Sequence, residues 1–172
     1  LTLAVIIFPT TLDKLISLHK YWIHSNICYE GFKNYISTNV DTILENIKEL
    51  NFLKYHLLNL DHHGFYRSYW YSSLYVVIEG YKELKINNLE IDELLTEAEF
   101  VDKLRLFRNS IFHYQKDIYN TKFLGVDDSD EFVEWIYKLH NLFGKKIIEE
   151  MYLSLPEDAA ENIKDSLKNL KQ

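Results

Sequence analysis

The sequence predicts an all-α fold, a bundle of about five long helices, on the basis of three observations. Glycine and proline number only 5 and 2 in 172 residues, so few residues are present that usually interrupt a helix. Apolar residues recur every three or four positions over several long segments, as they do on one face of a helix. Beyond the first eight residues, no segment alternates convincingly between apolar and polar side chains, as a half-buried strand does.

The helical patterns follow one another without a linker, and residues 1–172 are predicted to form a single domain. Long helices are predicted at about residues 12–36, 40–60, 66–85, 100–118 and 130–152, with a short helix near 91–95 and a more polar last helix near 156–170. Gly31 is expected to bend or interrupt the first of them. Thr96 with Glu99 has the pattern of a capping box, and Ser129 is predicted to cap the next helix.

Residues 1–10 are apolar and end in a Pro-Thr pair, so we expect a short strand, or an arm packed on the body of the protein or on a partner. The apolar stretch is much shorter than the roughly 20 residues that span a bilayer. It also lacks the basic start of a signal peptide. Because Cys28 is the single cysteine, no intrachain disulfide and no cysteine-based metal site is expected. These features predict a cytoplasmic protein without membrane contact.

The net charge of −7 and the pI of about 5.5 argue against a protein that binds nucleic acid over a broad basic surface. They are compatible with one local positive site. The segment LRLFRNSIFHYQ, residues 104–115, contains such a candidate: Arg108, then Asn109, and His113 five residues after the arginine. A guanidinium holds phosphate through a planar fork of donors, and an imidazole moves a proton near neutral pH. The segment therefore predicts an enzyme that acts on phosphodiesters.

One stripe of the predicted helix at 100–118 is apolar and is expected to face the core: Phe100, Leu104, Phe107, Ile111, Tyr114 and Ile118. Arg108 and His113 are five residues apart, so in a regular helix they point about 140° apart. We therefore expect either a helix distorted near Ser110 or two copies of the helix that together form a composite site. A homodimer brings such helices together because a two-fold interface uses the same patch twice.

Arg108, Asn109 and His113 resemble the Arg-x4–6-His signature of the HEPN superfamily of small helical domains, in which a polar residue often follows the arginine. The upstream segment FYRSYWYSSLYVVIEGYKEL resembles the long aromatic helix that precedes the signature in many of these domains. The resemblance covers about residues 64–152. It implies a metal-independent endoribonuclease that acts as a homodimer, as in toxin–antitoxin, phage-defence or RNA-processing systems, where a neutralising or regulatory protein partner is possible.

In the roles that the resemblance implies, Arg108 and His113 are catalytic and Asn109 positions them. Glu79 is the expected counterpart of an acidic residue that sometimes assists. One subgroup carries a tyrosine two residues after the histidine, but this chain has Gln115 there. Tyr114, one residue earlier, is therefore kept only as a supporting candidate. Cleavage of RNA would follow attack of the 2′-hydroxyl on the adjacent phosphate, with no metal or other cofactor.

Structural alternatives accompany the two catalytic candidates, and for His113 the alternative is a hydrogen-bonded group at the surface or at an interface. Arg108 could instead form an ion pair with a carboxylate such as Glu79 or Glu83. His62 and His63 could suggest a metal site, but adjacent histidines point in different directions, and a role in a loop or cap is favoured.

The aromatic helix at 66–85 is expected to form core, and base stacking is the less favoured reading of it. The competing function for the whole chain is a catalytically inactive helical module that binds a protein partner or a nucleotide.

Overall fold

The computed structural model describes residues 10–49, 62–114, 116 and 129–155; for residues 42–49, 62 and 63 it describes the helix but not the side chains. Within these residues the chain forms helices and no strand, which confirms the all-α prediction. The predicted arm, apart from Thr10, and the predicted helix at 156–170 lie outside the described residues. No helix in the described part is long and apolar enough to cross a membrane.

Five helices make up the described part of the chain. They are α1 (Thr11–Glu49), α2 (His62–Glu83), α3 (Leu89–Leu94), α4 (Ala98–Phe112) and α5 (Asp130–Leu153). α2 packs against α1 and α4, and α5 packs against α1 and α3. The short α3, predicted near 91–95, is held by two hydrogen bonds: Tyr81 donates to Asp92 (2.8 Å), and the Trp135 indole donates to the carbonyl of Leu94 (2.9 Å).

α1 runs through the junction of two predicted helices and is kinked there. Asn39 has non-helical backbone angles (φ −120°, ψ 17°). Just before the kink, Ser37 and Thr38 both donate to the carbonyl of Asn34, and Asn39 donates to the carbonyl of Tyr35. Short polar side chains that bond to preceding carbonyls bend helices. The predicted boundary near residues 37–39 is therefore a kink and not a break.

Gly31 does not interrupt α1, contrary to expectation. A Cβ built on Gly31 would lie 2.6 Å from the ring of Tyr66, so glycine lets α2 approach α1 closely at this point.

The core is built around α2, as predicted for the aromatic segment. Trp70, Leu74, Val77 and Ile78 are all but fully buried, and Tyr71 and Tyr81 are 2% exposed. The other helices cover them with further buried side chains, which include Leu18, Phe32, Leu104, Phe107, Phe132, Ile136, Leu139, Phe143 and Ile147. Base stacking by the helix as a whole is thus incompatible with the structure, because most of its rings face the interior.

Two of the predicted helix starts are wrong, and one is confirmed. Ser129 caps α5, accepting a hydrogen bond from the backbone N–H of Phe132 (3.3 Å). The capping box of Thr96 does not form, because the Thr96 hydroxyl donates to the carbonyl of Glu93 (2.6 Å) and Glu97 becomes the N-cap of α4. The residues predicted as a loop before α2 belong to its first turn, which starts at His62.

Candidate functional site

The candidate site lies where α4 packs against α2. The buried stripe of α4 includes Leu104 and Phe107, and the Phe107 ring meets Tyr71 of α2 edge to face at 5.8 Å. The helices run antiparallel, because Arg108 of α4 contacts Glu79 of α2, whereas Phe112, four residues later, contacts Tyr69. Successive residues turn about 100°, so Arg105, Arg108, Asn109 and Phe112 share one face of α4 beside α2.

Arg108 is fixed by groups from both helices. Its Nη2 donates to Oε1 of Glu79 at 2.5 Å, and its Nη1 donates to Oδ1 of Asn109 at 3.1 Å. The guanidinium carbon lies 5.1 Å from the centre of the Tyr75 ring, within cation–π range. The Arg108 side chain is 25% exposed and that of Glu79 is 46% exposed. The ion pair predicted as an alternative for Arg108 is therefore present with Glu79.

The Arg108 guanidinium retains donors for an anion. It carries five N–H groups, and two of its nitrogens make the bonds to Glu79 and Asn109. Its Nε–H is buried and has no hydrogen-bond partner in the described part of the chain. The N–H groups left on Nη1 and Nη2, on a side chain that is 25% exposed, are the donors that a phosphoryl oxygen could reach.

Tyr75 borders the ion pair as a neutral hydroxyl. Burial raises the pKa of Tyr75, and the nearby Glu79 carboxylate raises it further, while Arg108 and Arg105 act in the opposite direction. Arg105 is occupied differently from Arg108: it donates to Asp102 at 2.7 Å within α4, and both side chains are about half exposed. The site thus has one arginine held between helices and one on the solvent side.

His113 does not lie on the helix, and here the predicted helix at 100–118 is wrong. α4 ends at Phe112, and His113 is its C-cap with extended backbone angles (φ −119°, ψ 135°). The backbone N–H of His113 still bonds to the carbonyl of Asn109 (3.2 Å). Tyr114, predicted to face the core, is 89% exposed, so burial gives no support for a further turn. The 140° separation of Arg108 and His113 therefore does not apply, because the chain leaves the helix between them.

An exposed aromatic patch adjoins the end of α4. It consists of Phe65 and Tyr69 of α2 and Phe112 of α4, with exposed fractions of 51%, 37% and 52%. The Tyr69 ring lies 4.5 Å from that of Phe65 and 5.9 Å from that of Phe112. Partly exposed aromatic rings in contact are typical of protein interfaces and of sites where bases stack.

Of the predicted site residues, Arg108, Asn109 and Glu79 are thus brought together. His113 and Tyr114 are exposed at the end of the same helix. No group of three or more histidine, cysteine, aspartate or glutamate side chains among the described residues could hold a metal ion.

His140 of α5 is a polar centre that the sequence did not indicate. It is 1% exposed and stands among the rings of Trp22, Tyr29 and Trp70. The Trp70 indole N–H donates to Nδ1 of His140 (3.2 Å), so Nδ1 carries no proton, and Nε2–H donates to Oδ1 of Asn26 (3.1 Å). Burial lowers the pKa of His140 to about 4. The imidazole is therefore neutral and joins three helices, with too little exposure to act on a substrate.

Comparison with protein-family models, with curated protein sequences and with solved structures finds no match to this chain.

Proposed function

We propose that the protein is a metal-independent endoribonuclease of the HEPN type that works as a homodimer. The observation that carries the proposal is the setting of Arg108, which is held by Glu79 and Asn109 on a partly exposed side chain, five residues before His113 at the exposed end of α4. A fixed guanidinium stabilises charge that develops on a phosphoryl group, and an exposed imidazole has access to a substrate.

The chemistry follows from the two groups. An imidazole accepts the proton of the ribose 2′-hydroxyl while the oxygen attacks phosphorus, and the bond from phosphorus to the 5′-oxygen breaks. A second, protonated imidazole gives a proton to the departing 5′-oxygen. The products are a 2′,3′-cyclic phosphate and a 5′-hydroxyl. Arg108 stabilises the negative charge on the non-bridging oxygens.

The need for an acid and a base favours a dimer. The motif supplies a single imidazole in each protomer, and a two-fold axis beside α4 would supply the second. Phe112 directly precedes His113 in the chain, and the aromatic patch that it forms with Phe65 and Tyr69 offers the second copy an apolar contact. We therefore place the dimer interface on this patch, with RNA entering along the line of the two His113 residues.

Uncontrolled cleavage of RNA damages a cell, so an enzyme of this kind suits a toxin or a phage-defence effector with a neutralising or regulatory protein partner. The second candidate function is a catalytically inactive module that binds a protein or a nucleotide. The Glu79 carboxylate favours this second candidate, because it already neutralises Arg108, and so does the net charge of −7.

RNA cleavage without metal separates the two functions. The purified protein should cut single-stranded RNA in the presence of EDTA and leave 2′,3′-cyclic phosphate ends. Arg108→Ala and His113→Ala should each lower the cleavage rate by about 10²–10⁴, the usual contribution of such groups. The measurement is gel analysis of an end-labelled oligonucleotide with chemical identification of both new ends.

Matched controls are available on α4 and on α1. Arg105→Ala removes an arginine of the same helix whose hydrogen bond in the described part of the chain is to Asp102, and His24→Ala removes an exposed histidine of α1. Both should retain near-normal cleavage. Absence of cleavage by the wild-type protein, or cleavage that survives both motif substitutions, would reject the ribonuclease.

A further inference from the structure

A cleft between α1 and α2 shares a wall with the candidate site. Its volume is about 400 Å³, and its lining includes Lys14, Leu18 and Tyr21 of α1 with Glu79, Gly80 and Glu83 of α2. Glu79 is also the residue that holds Arg108. A group bound in the cleft therefore lies on one side of this carboxylate, and an anion bound by Arg108 lies near the other.

The size and lining of the cleft suit one nucleobase with its sugar. Pockets for small ligands are about 300–1,000 Å³ and combine an apolar floor with a few polar groups. Leu18 is 4% exposed and forms the floor together with Gly80, where an added Cβ would lie 2.6 Å from Cδ1 of Leu18. Tyr21, 45% exposed, offers a ring on which a base can stack.

The polar groups select the base. Glu79 and Glu83 present carboxylate oxygens, which only accept hydrogen bonds, and Lys14 presents an ammonium group, which only donates. Guanine has two adjacent donors, N1–H and N2–H, that match one carboxylate, and its O6 and N7 accept from a cation. Uracil has one N–H between two carbonyl oxygens, and those oxygens would face carboxylates. Adenine and cytosine offer an amino group without a neighbouring N–H donor.

We propose that this α1–α2 cleft is a guanine-binding subsite that places a neighbouring phosphodiester at Arg108. Glu83 pairs with the donor edge of the base, Tyr21 stacks on its face, and Lys14 meets its acceptor edge or the adjoining phosphate. The inference rests on the proposed ribonuclease for its consequence, which is cleavage next to guanine, but binding of the base does not require cleavage.

Titration of the full-length protein with guanosine 5′-monophosphate tests the subsite, with uridine 5′-monophosphate as the comparison. The guanine nucleotide should bind at least about tenfold more tightly, since the uracil edge mismatches both carboxylates. Glu83→Gln and Tyr21→Ala should each weaken its binding by about tenfold, whereas Tyr21→Phe, which keeps the ring, should retain most of the affinity.

Two further variants guard against misfolding and against a general effect of charge. Gly80→Ala adds a methyl group to the floor of the cleft, where it crowds only the end of the Leu18 side chain, and should weaken binding while leaving the helical content unchanged. Glu134→Gln removes an equal charge from the exposed face of α5 and should bind like the wild type. Equal affinities for the two nucleotides, or guanine binding that none of the cleft variants changes, would overturn the subsite.

The ribonuclease and the subsite fail independently. Cleavage in EDTA decides the former, and mononucleotide binding decides the latter. If the protein cuts RNA at any sequence and does not prefer the guanine nucleotide, the ribonuclease proposal stands and the subsite proposal is rejected. Binding of the guanine nucleotide without cleavage keeps the subsite and favours the inactive nucleotide-binding module.

Discussion

Arg105 and Arg108 are three residues apart on α4, yet their surroundings give them different roles. The ion pair of Arg105 with Asp102 lies within one helix, with side chains 44% and 54% exposed, and such pairs contribute about 0–1 kcal/mol. Arg108 bonds across to Glu79 of α2 as well as to its neighbour Asn109, and its Nε is buried. The two arginines therefore differ in their partners, although they lie on the same helix. The Glu79 carboxylate and the Tyr75 ring hold Arg108 against α2, whereas nothing from α2 is bonded to Arg105 in the described part of the chain.

Two buried serines test how a hydrogen-bond partner affects the stability that a buried hydroxyl contributes. Ser25 and Ser72 are both 0% exposed, but Ser25 donates to the carbonyl of Trp70 (3.3 Å), whereas Oγ of Ser72 has no partner in the described part of the chain. Ser72→Ala removes an unmet polar group and adds helix propensity, so it should raise the free energy of unfolding by about 1 kcal/mol. Ser25→Ala loses a hydrogen bond and should be the less stable variant of the two. Urea denaturation measures both, and equal effects would contradict the expectation.

The sequence could reveal the residues of the site but not all of their partners. Arg108, Asn109 and His113 lie within six positions, so their residue types and proximity in the sequence mark a candidate site. Glu79 is 29 residues before Arg108, so no spacing rule connects them; the resemblance and the ion-pair alternative both named Glu79, the latter beside Glu83. His140 could not be found, because its partners Trp70 and Asn26 are 70 and 114 residues away, and no spacing rule connects them.

At the scale of the helices, the end of α4 decides what the motif can do. The apolar period continues through Tyr114 to Ile118, so sequence reasoning extended the helix past His113. Neither glycine nor proline follows Phe112 to mark its end. In the structure the helix ends at Phe112, where the side chains become exposed. His113 therefore lies outside the helix, next to an exposed aromatic patch. Tertiary packing determines where the helix ends, and the apolar periodicity of the sequence does not reveal that packing.

The aromatic patch yields a prediction about association between helices of two copies. Phe112→Ser removes the ring that Tyr69 contacts, and central aromatic residues of interfaces commonly contribute about 2 kcal/mol or more. The dissociation constant of the dimer should therefore rise by at least about tenfold, and RNA cleavage should fall in parallel.

Leu89→Ser is the matched control for the patch, because Leu89 on α3 is 88% exposed and belongs to another surface. It should leave the dimer intact. Sedimentation equilibrium over a range of concentrations gives the constant. A wild-type protein that is monomeric at all of them would reject the homodimer, and a dimer that Phe112→Ser does not weaken would place the interface elsewhere.

At the scale of the whole molecule, His140 joins three helices through a single imidazole. Trp70 of α2 donates to it, Asn26 of α1 accepts from it, and the carbonyl of His140 in α5 accepts from Trp22 of α1 (3.3 Å). The periodicity of apolar residues in the sequence predicts which helices form and many of the residues on their buried faces. It cannot predict which polar group the assembled faces will enclose, because that depends on tertiary positions.

Protonation of His140 should weaken the whole bundle in mild acid. Its pKa falls from 6.5 in the unfolded chain to about 4 in the folded protein, so between these values the unfolded state binds the extra proton. Stability is then complete above pH 6.5 and declines as the pH falls toward 4, by about 2 kcal/mol between pH 7 and pH 5 for this group alone. A proton on Nδ1 would also oppose the Trp70 N–H that now donates to it.

Urea unfolding of the wild type and of His140→Gln at pH 7, 6 and 5 measures the effect. The comparison separates the contribution of His140 from that of carboxylates, which titrate at lower pH. The variant should be less stable at pH 7 and lose the slope between pH 7 and 5, whereas parallel curves would assign the acid sensitivity to other groups.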